Sequence, residues 1–228
     1  MSYSYQRGLS WPLVLFVVVL GFIVFGLFSQ PFLFSRRGTG HLTEAGNNAK
    51  TIAAALYLFR QEYGSYPDQK TRELLVAQGH DHLPESDHAN AYLAQLLAVG
   101  LIDTETSFFA SLEGVEKGDD EMGPGEILAA GENGFAYVMA ETGAALADDI
   151  SIMPLVLAPV TQGGRNPRFD PKAFGGKYVY GAVDGSSKQG NIGEDGRAMS
   201  KGRSSLFETG SNSVFGLEIP VVKMPLKK

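Results

Sequence analysis

Apolar positions fall into three patterns along the chain, and each predicts a different kind of element. The first is a continuous run. Trp11 to Phe28 reads WPLVLFVVVLGFIVFGLF, 18 residues without a charge. At ~1.5 Å rise per residue, a helix of that length spans ~27 Å, close to a bilayer's hydrocarbon core. Ser10 suits an N-cap, Pro12 the first turn and Trp11 a water–lipid interface. A cleaved signal peptide has a shorter apolar core and ends in a small-x-small site, whereas this run leads to Arg36 and Arg37. The run therefore predicts an N-terminal transmembrane helix that contacts the lipid bilayer through residues 11–28. Arg7 on one side and Arg36 and Arg37 on the other leave its orientation undecided by charge.

The second pattern is helical periodicity. Ala45, Ala49, Ile52, Leu56, Phe59 and Tyr63 recur at steps of three or four, one face of an amphipathic helix. Thr43 is placed to cap its start and Gly64 to follow its end, and Tyr66-Pro67 enforces an extended exit. Residues 35–42 (SRRGTGHL) read as a polar, glycine-containing linker before it. A second helix is expected at about 70–78, stopped by Gly79. A third is expected at about 87–99, capped by Ser86, with Tyr92, Leu93, Leu96 and Leu97 inside and Leu101 and Ile102 folding back after Gly100.

The third pattern begins near residue 104, where apolar runs become short. Phe135–Met139, Met153–Val160 and Tyr178–Val183 read as strands. Pro154 and Pro159 put the second of these at a sheet edge or limit its pairing. Asp184-Gly185 suits a hairpin turn. Residues 113–134 and 161–175 read as loops, and 186–214 as largely polar with one short strand. The fold class is α+β: a transmembrane helix, an amphipathic helix, then further helices and a small antiparallel sheet. The domains expected are a cytoplasmic stub and membrane anchor at 1–34, a linker at 35–42 and a soluble domain at 43–228.

Composition narrows the functional classes. The 228 residues include 28 glycines and no cysteine, which excludes disulfide scaffolds, cysteine zinc sites and thiol catalysis. A net charge of -6 argues against a nucleic-acid surface. No hydrolase, P-loop or dinucleotide signature is present, and no pair of carboxylates is marked as an acid–base couple. No catalytic, cofactor-binding or metal residue is therefore assigned.

Three polar groupings offer candidate metal ligands. His80-Asp81-His82 with Asp87 and His88 offers imidazole and carboxylate, but in a solvated inter-helix loop without ligand geometry. Asp119, Asp120 and Glu121, and separately Asp148 and Asp149, offer oxygens to a hard cation without EF-hand spacing. The aromatic stripe Phe59, Tyr63 and Tyr66 reads as core where helix meets sheet, and the basic tail Lys223–Lys228 as a solvated end.

The stretch Asn47–Pro67, NNAKTIAAALYLFRQEYGSYP, resembles the pilin-like proteins of type II secretion, especially the major pseudopilin type. The matching positions are Ile52, Ala55, Leu56, Phe59, Tyr63, Gly64, Tyr66 and Pro67. Farther on, Asp170-Pro171, Phe174-Gly175-Gly176-Lys177-Tyr178-Val179-Tyr180 and Asp184-Gly185 resemble that family's aspartate–proline segment, strand and hairpin. The resemblance covers about half of the chain. It implies a pilin-like soluble domain on the periplasmic or extracellular side of the inner membrane. Its partners would be other pilin-like or secretion-system proteins, with no enzymatic activity.

The family's calcium site lies in a C-terminal loop, and no residue here is matched to its ligands. The family's fibre subunits are cut after a glycine and carry glutamate five residues on. After Gly8 that position is Leu13. The alternative expectation is a stand-alone envelope module that binds glycan or peptide ligands through its long loops.

Overall fold

The computed structural model describes residues 11–142, 151–200, 205–208, 213–215 and 218–228, with backbone alone for 12–14, 17 and 21–39. The chain divides into two compact units, Met1–Thr39 and Gly40–Lys228. Gly8, Asp148 and Asp149 lie outside the described residues.

Helix α1 runs Trp11–Tyr63, 53 residues. The helix does not stop where the apolar run stops but continues through Arg36, Arg37 and His41, so 35–42 is helical and Thr43 lies inside the helix rather than at its cap. Among the described residues no helix is long and apolar enough to cross a membrane. The transmembrane helix expected over 11–28 is corrected accordingly: those residues are the first turns of α1. In the first unit, Trp11, Leu15, Phe16, Val18, Val19 and Leu20 are exposed.

In the second unit, the expected stripe is the buried face of α1. Ala45, Ala49, Ile52, Leu56 and Phe59 are each fully buried. The helix ends with Gly64 at φ 80°, a left-handed position that suits the residue after a helix. Helix α2 (Gln69–Ala77) starts from Asp68, whose carboxylate accepts from the Thr71 N–H at 2.8 Å while the Thr71 hydroxyl receives the Asp68 N–H. Helix α3 (Ala89–Ala98) follows His88, which makes no side-chain cap bond, so the expected Ser86 cap is displaced. Leu101 and Ile102 fold back to the Leu96 carbonyl as their spacing predicts.

Among the described residues eight strands follow: β1 (Ala136–Ala140), β2 (Pro154–Ala158), β3 (Val160–Gln162), β4 (Arg168–Phe169), β5 (Lys177–Ala182), β6 (Ser187–Ile192), β7 (Ala198–Met199) and β8 (Pro220–Lys223). Six form a curled antiparallel half-barrel in the order β7-β6-β5-β2-β1-β8, while β3 and β4 pair separately. Strand β2 is therefore central, not an edge. Pro154 is tolerated because it is the first residue of the strand, and its pairing with β5 slips between Pro154 and Val156. Asp184-Gly185 makes the β5–β6 hairpin turn, with Gly185 at φ 72°.

Alternation along β5 gives the sheet two faces. Gly181 meets Ala49 and Ala53 of α1, and Val179 lies beside Gly46. On the opposite face Tyr178 lies 5.5 Å from Phe169 between ring centroids, and Phe169 in turn meets Phe207. One face of the sheet is thus roofed by α1 and the other by Phe169 of β4 and by Phe207, which follows the sheet's β5–β7 strands.

Candidate functional site

Among the described residues the structure gathers one cluster of carboxylates, and only Asp119 of it belongs to a grouping that the sequence spacing marks. Glu105 opens a short 3-10 turn after α3 and is fully buried. Its Oε1 accepts from the Leu128 N–H at 2.5 Å and its Oε2 from the Asp120 N–H at 2.9 Å. Asp120 returns the bond, accepting from the Glu105 N–H at 2.7 Å. The two donors, Asp120 at φ 63° and Leu128 at φ 51°, both hold left-handed backbone, which disfavours residues with a side chain. One buried carboxylate therefore holds the loop 113–134 in a conformation that the loop's own residues resist.

Two more acids converge on it. Ligand-competent oxygens of Glu105, Asp119 and Glu132 all lie within 4.8 Å of one another. Glu132 is buried and accepts from the Ala129 N–H at 2.7 Å. Burial pushes the Glu105 carboxyl above the usual range, against the N–H groups of Leu128 and Asp120, and the charges of Asp119 and Asp120 push the same way. Burial likewise raises Glu132, with the Ala129 N–H and Lys228 opposing and Glu105 and Asp119 adding to it. Three carboxylates at this spacing can share a proton or offer oxygens to a hard cation. Asp119 was visible as a candidate in the sequence. Glu105 and Glu132 were not, because they stand 14 and 13 residues from it with no common motif.

A polar node lies next to this cluster. Asn90 on α3 is buried, donates to the carbonyls of Leu128 (2.7 Å) and Ala129 (3.0 Å), and accepts from the Leu226 N–H at 2.8 Å. The tail expected to be a solvated end is tied down. Lys223 pairs with Asp87 at 2.6 Å and Lys228 with Glu116 at 2.5 Å.

The histidine loop assembles differently. His80 and His82 sit with ring centroids 6.1 Å apart. Asp87 accepts from the Tyr92 hydroxyl at 2.7 Å and pairs with Lys223. Its burial is outweighed by those hydrogen bonds, so its pKa falls below the usual carboxylate range.

The remaining feature is the outer face of α1 within the second unit. Ala54, Tyr57, Leu58 and Gln61 are exposed at helical spacing, with Tyr57 43% and Leu58 49% accessible. Beneath them Phe59 stacks on Tyr63 at 4.5 Å, and Tyr66 is buried below the Arg60 guanidinium. The Tyr137 hydroxyl donates to the Pro67 carbonyl at 2.9 Å, pinning the Gly64–Pro67 turn to β1. The aromatic stripe is core, and the apolar patch on the opposite side of the helix has no cover among the described residues.

No protein-family model matches the chain, and no curated protein or solved structure matches it.

Proposed function

We propose that the chain is a non-enzymatic structural or assembly component of a pilin-like, type II secretion or type IV pilus-like system. It would work by protein–protein contact with other pilin-like or secretion-system proteins. The observation that carries this reading is the seating of α1. Its residues 45–59 bury one face on an antiparallel sheet and end in the Gly64–Pro67 turn pinned by Tyr137, while Ala54, Tyr57 and Leu58 face outward. The reading rests on this helix-on-sheet plan together with the resemblance of Asn47–Pro67, and makes no use of a membrane span. With Leu13 at the fifth position after Gly8, the role is that of an accessory acting beside other subunits rather than of a self-sufficient fibre subunit.

The absence of native cysteine makes the test direct. Cysteine at Tyr57 or Leu58 should give in-cell crosslinks to a pilin-like partner, identified by mass spectrometry, while cysteine at exposed Glu85 should not. Crosslinking from the α1 positions no greater than from Glu85 would count against the proposal.

A further inference from the structure

A cavity of about 800 Å³ opens on the sheet face that α1 does not cover, within the usual size range of small-molecule sites. Its floor is the β5–β6 hairpin. Tyr178 pairs with Gly190, and Tyr180 with Lys188, across the ladder. A Cβ at position 190 would lie 2.5 Å from the Tyr178 ring, so the glycine lets that ring lie flat on the strand. The Tyr178 hydroxyl then donates to the Met199 carbonyl at 3.0 Å and fixes the ring. Tyr180 stacks beside it, ring centroids 6.0 Å apart and 18° from parallel. Ile152, Leu206 and Val214 supply apolar wall.

The charge of this cavity is opposite to that of the protein. The chain carries -6 overall, yet the cavity is lined by Lys177 and Lys188 and by no carboxylate among the described residues. By the alternation along β5, Lys177 leaves the strand on the Val179 side, so the cation over the Tyr178 face is Lys188, which pairs with Tyr180. Lys188 approaches Asp184 at 3.4 Å, which leaves two of its three N–H donors for another acceptor. Its side chain is only 33% accessible, so an anion held there is partly shielded from solvent screening. A point-charge ammonium, with no arginine fork, attracts a small anionic head without imposing a bidentate geometry. The apolar wall suits an alkyl body.

We infer that this cavity binds a small amphipathic anion, its head at Lys188 and its chain along Ile152, Leu206 and Val214, and the carboxylate decanoate serves as its probe. The inference stands independently of the assembly role proposed above. It is tested by calorimetric titration of the full chain with decanoate, using acetate and decanol as the headgroup-only and chain-only controls. Decanoate should bind saturably with one site per chain, and acetate and decanol at least about tenfold more weakly. Lys188→Gln, at a half-exposed position, should weaken decanoate about tenfold with an unchanged melting temperature. Ser200→Trp, which fills the cavity, should abolish binding. Absence of saturable decanoate binding to the wild-type chain would overturn the inference, as would undiminished binding by Lys188→Gln.

Discussion

Replacing Gly181 by alanine probes the joint between α1 and the sheet. Gly181 lies on interior strand β5, directly against the helix. A Cβ there would fall inside contact distance of the Ala49 carbonyl oxygen and 2.9 Å from both the Ala53 Cβ and a Val156 methyl. The first obstacle is helix backbone, which cannot rotate aside as a side chain could. The helix must therefore lift from the strand, at an overpacking cost of ~1–3 kcal/mol. Against that, alanine restricts the unfolded chain and returns ~0.4–1 kcal/mol. The net expectation is a loss of roughly 1–2 kcal/mol, or a fall in Tm of about 2–8 °C for a domain of this size. Gly46→Ala is the paired control on the same interface. Its Cβ would sit 3.7 Å from a Val179 methyl and 3.9 Å from the Ser187 hydroxyl, ordinary contacts, and it removes a glycine from a helix interior. It should stabilise by ~0.5–1 kcal/mol. Urea titrations followed by far-UV circular dichroism measure both. A Gly181→Ala protein as stable as its parent would refute the close-approach argument, and so would equal losses at the two sites.

Asn90→Ala should cost about 3 kcal/mol in the same titrations, because the partners on Leu128, Ala129 and Leu226 lose a buried bond together; a cost under ~1 kcal/mol would mean the node does not hold the tail. Phe59→Ala should cost ~3–5 kcal/mol, whereas Arg60→Ala should cost ~0.5–1 kcal/mol for its lost stacking on Tyr66; similar losses at both would show that the helix is docked differently. Glu105 and Glu132 have folded pKa values raised by burial, so the folded state binds their protons more tightly than the unfolded state does. Their contribution to stability is complete below the unfolded value of about 4.3 and is lost as pH rises through the folded values. Glu132→Gln should therefore flatten the decline of Tm with pH above about 4.3, and an unchanged pH profile would show that the pair is not coupled to folding.

The helices were legible because their signals are local. The steps from Ala45 to Tyr63, the glycine after Tyr63 and the stripe on α3 each require one burial face and one stop, and the structure uses them as read. Strands β1, β2 and β5 were equally plain, since buried strands are apolar runs. Strand β6 was expected only as an unplaced short strand within 186–214, and β8 was hidden, for the converse reason. Ser187–Ile192 alternates between half-buried and exposed, so its composition is that of a loop. Pro220–Lys223 is a short edge strand whose partner β1 lies some 80 residues back. Of the two outcomes expected from its prolines, β2 takes limited pairing, with the ladder slipping after Pro154, and not an edge place, because Pro154 is the strand's first residue. The apolar run at 11–28 was weighed alone, without the helical continuation that joins it to Tyr63. The carboxylate cluster could not be seen at all. It depends on Glu105, Asp119 and Glu132 being brought together by a loop in which two left-handed positions, Asp120 and Leu128, are not glycine and so give no local sign of the turn.

The wedge of Gly181 against Ala49 and Ala53 also has a mechanical meaning. Tension drawn along α1 enters the sheet at β5, which has hydrogen-bonded neighbours, β2 and β6, on both sides. The load is divided between two ladders, so no edge strand is peeled away one bond at a time. A handle on β8 would instead pull on a strand with a single main partner in the sheet, β1. Single-molecule extension should register the contrast as a higher unfolding force through α1 than through β8, and equal forces would show that the helix slips from the strand before the sheet yields.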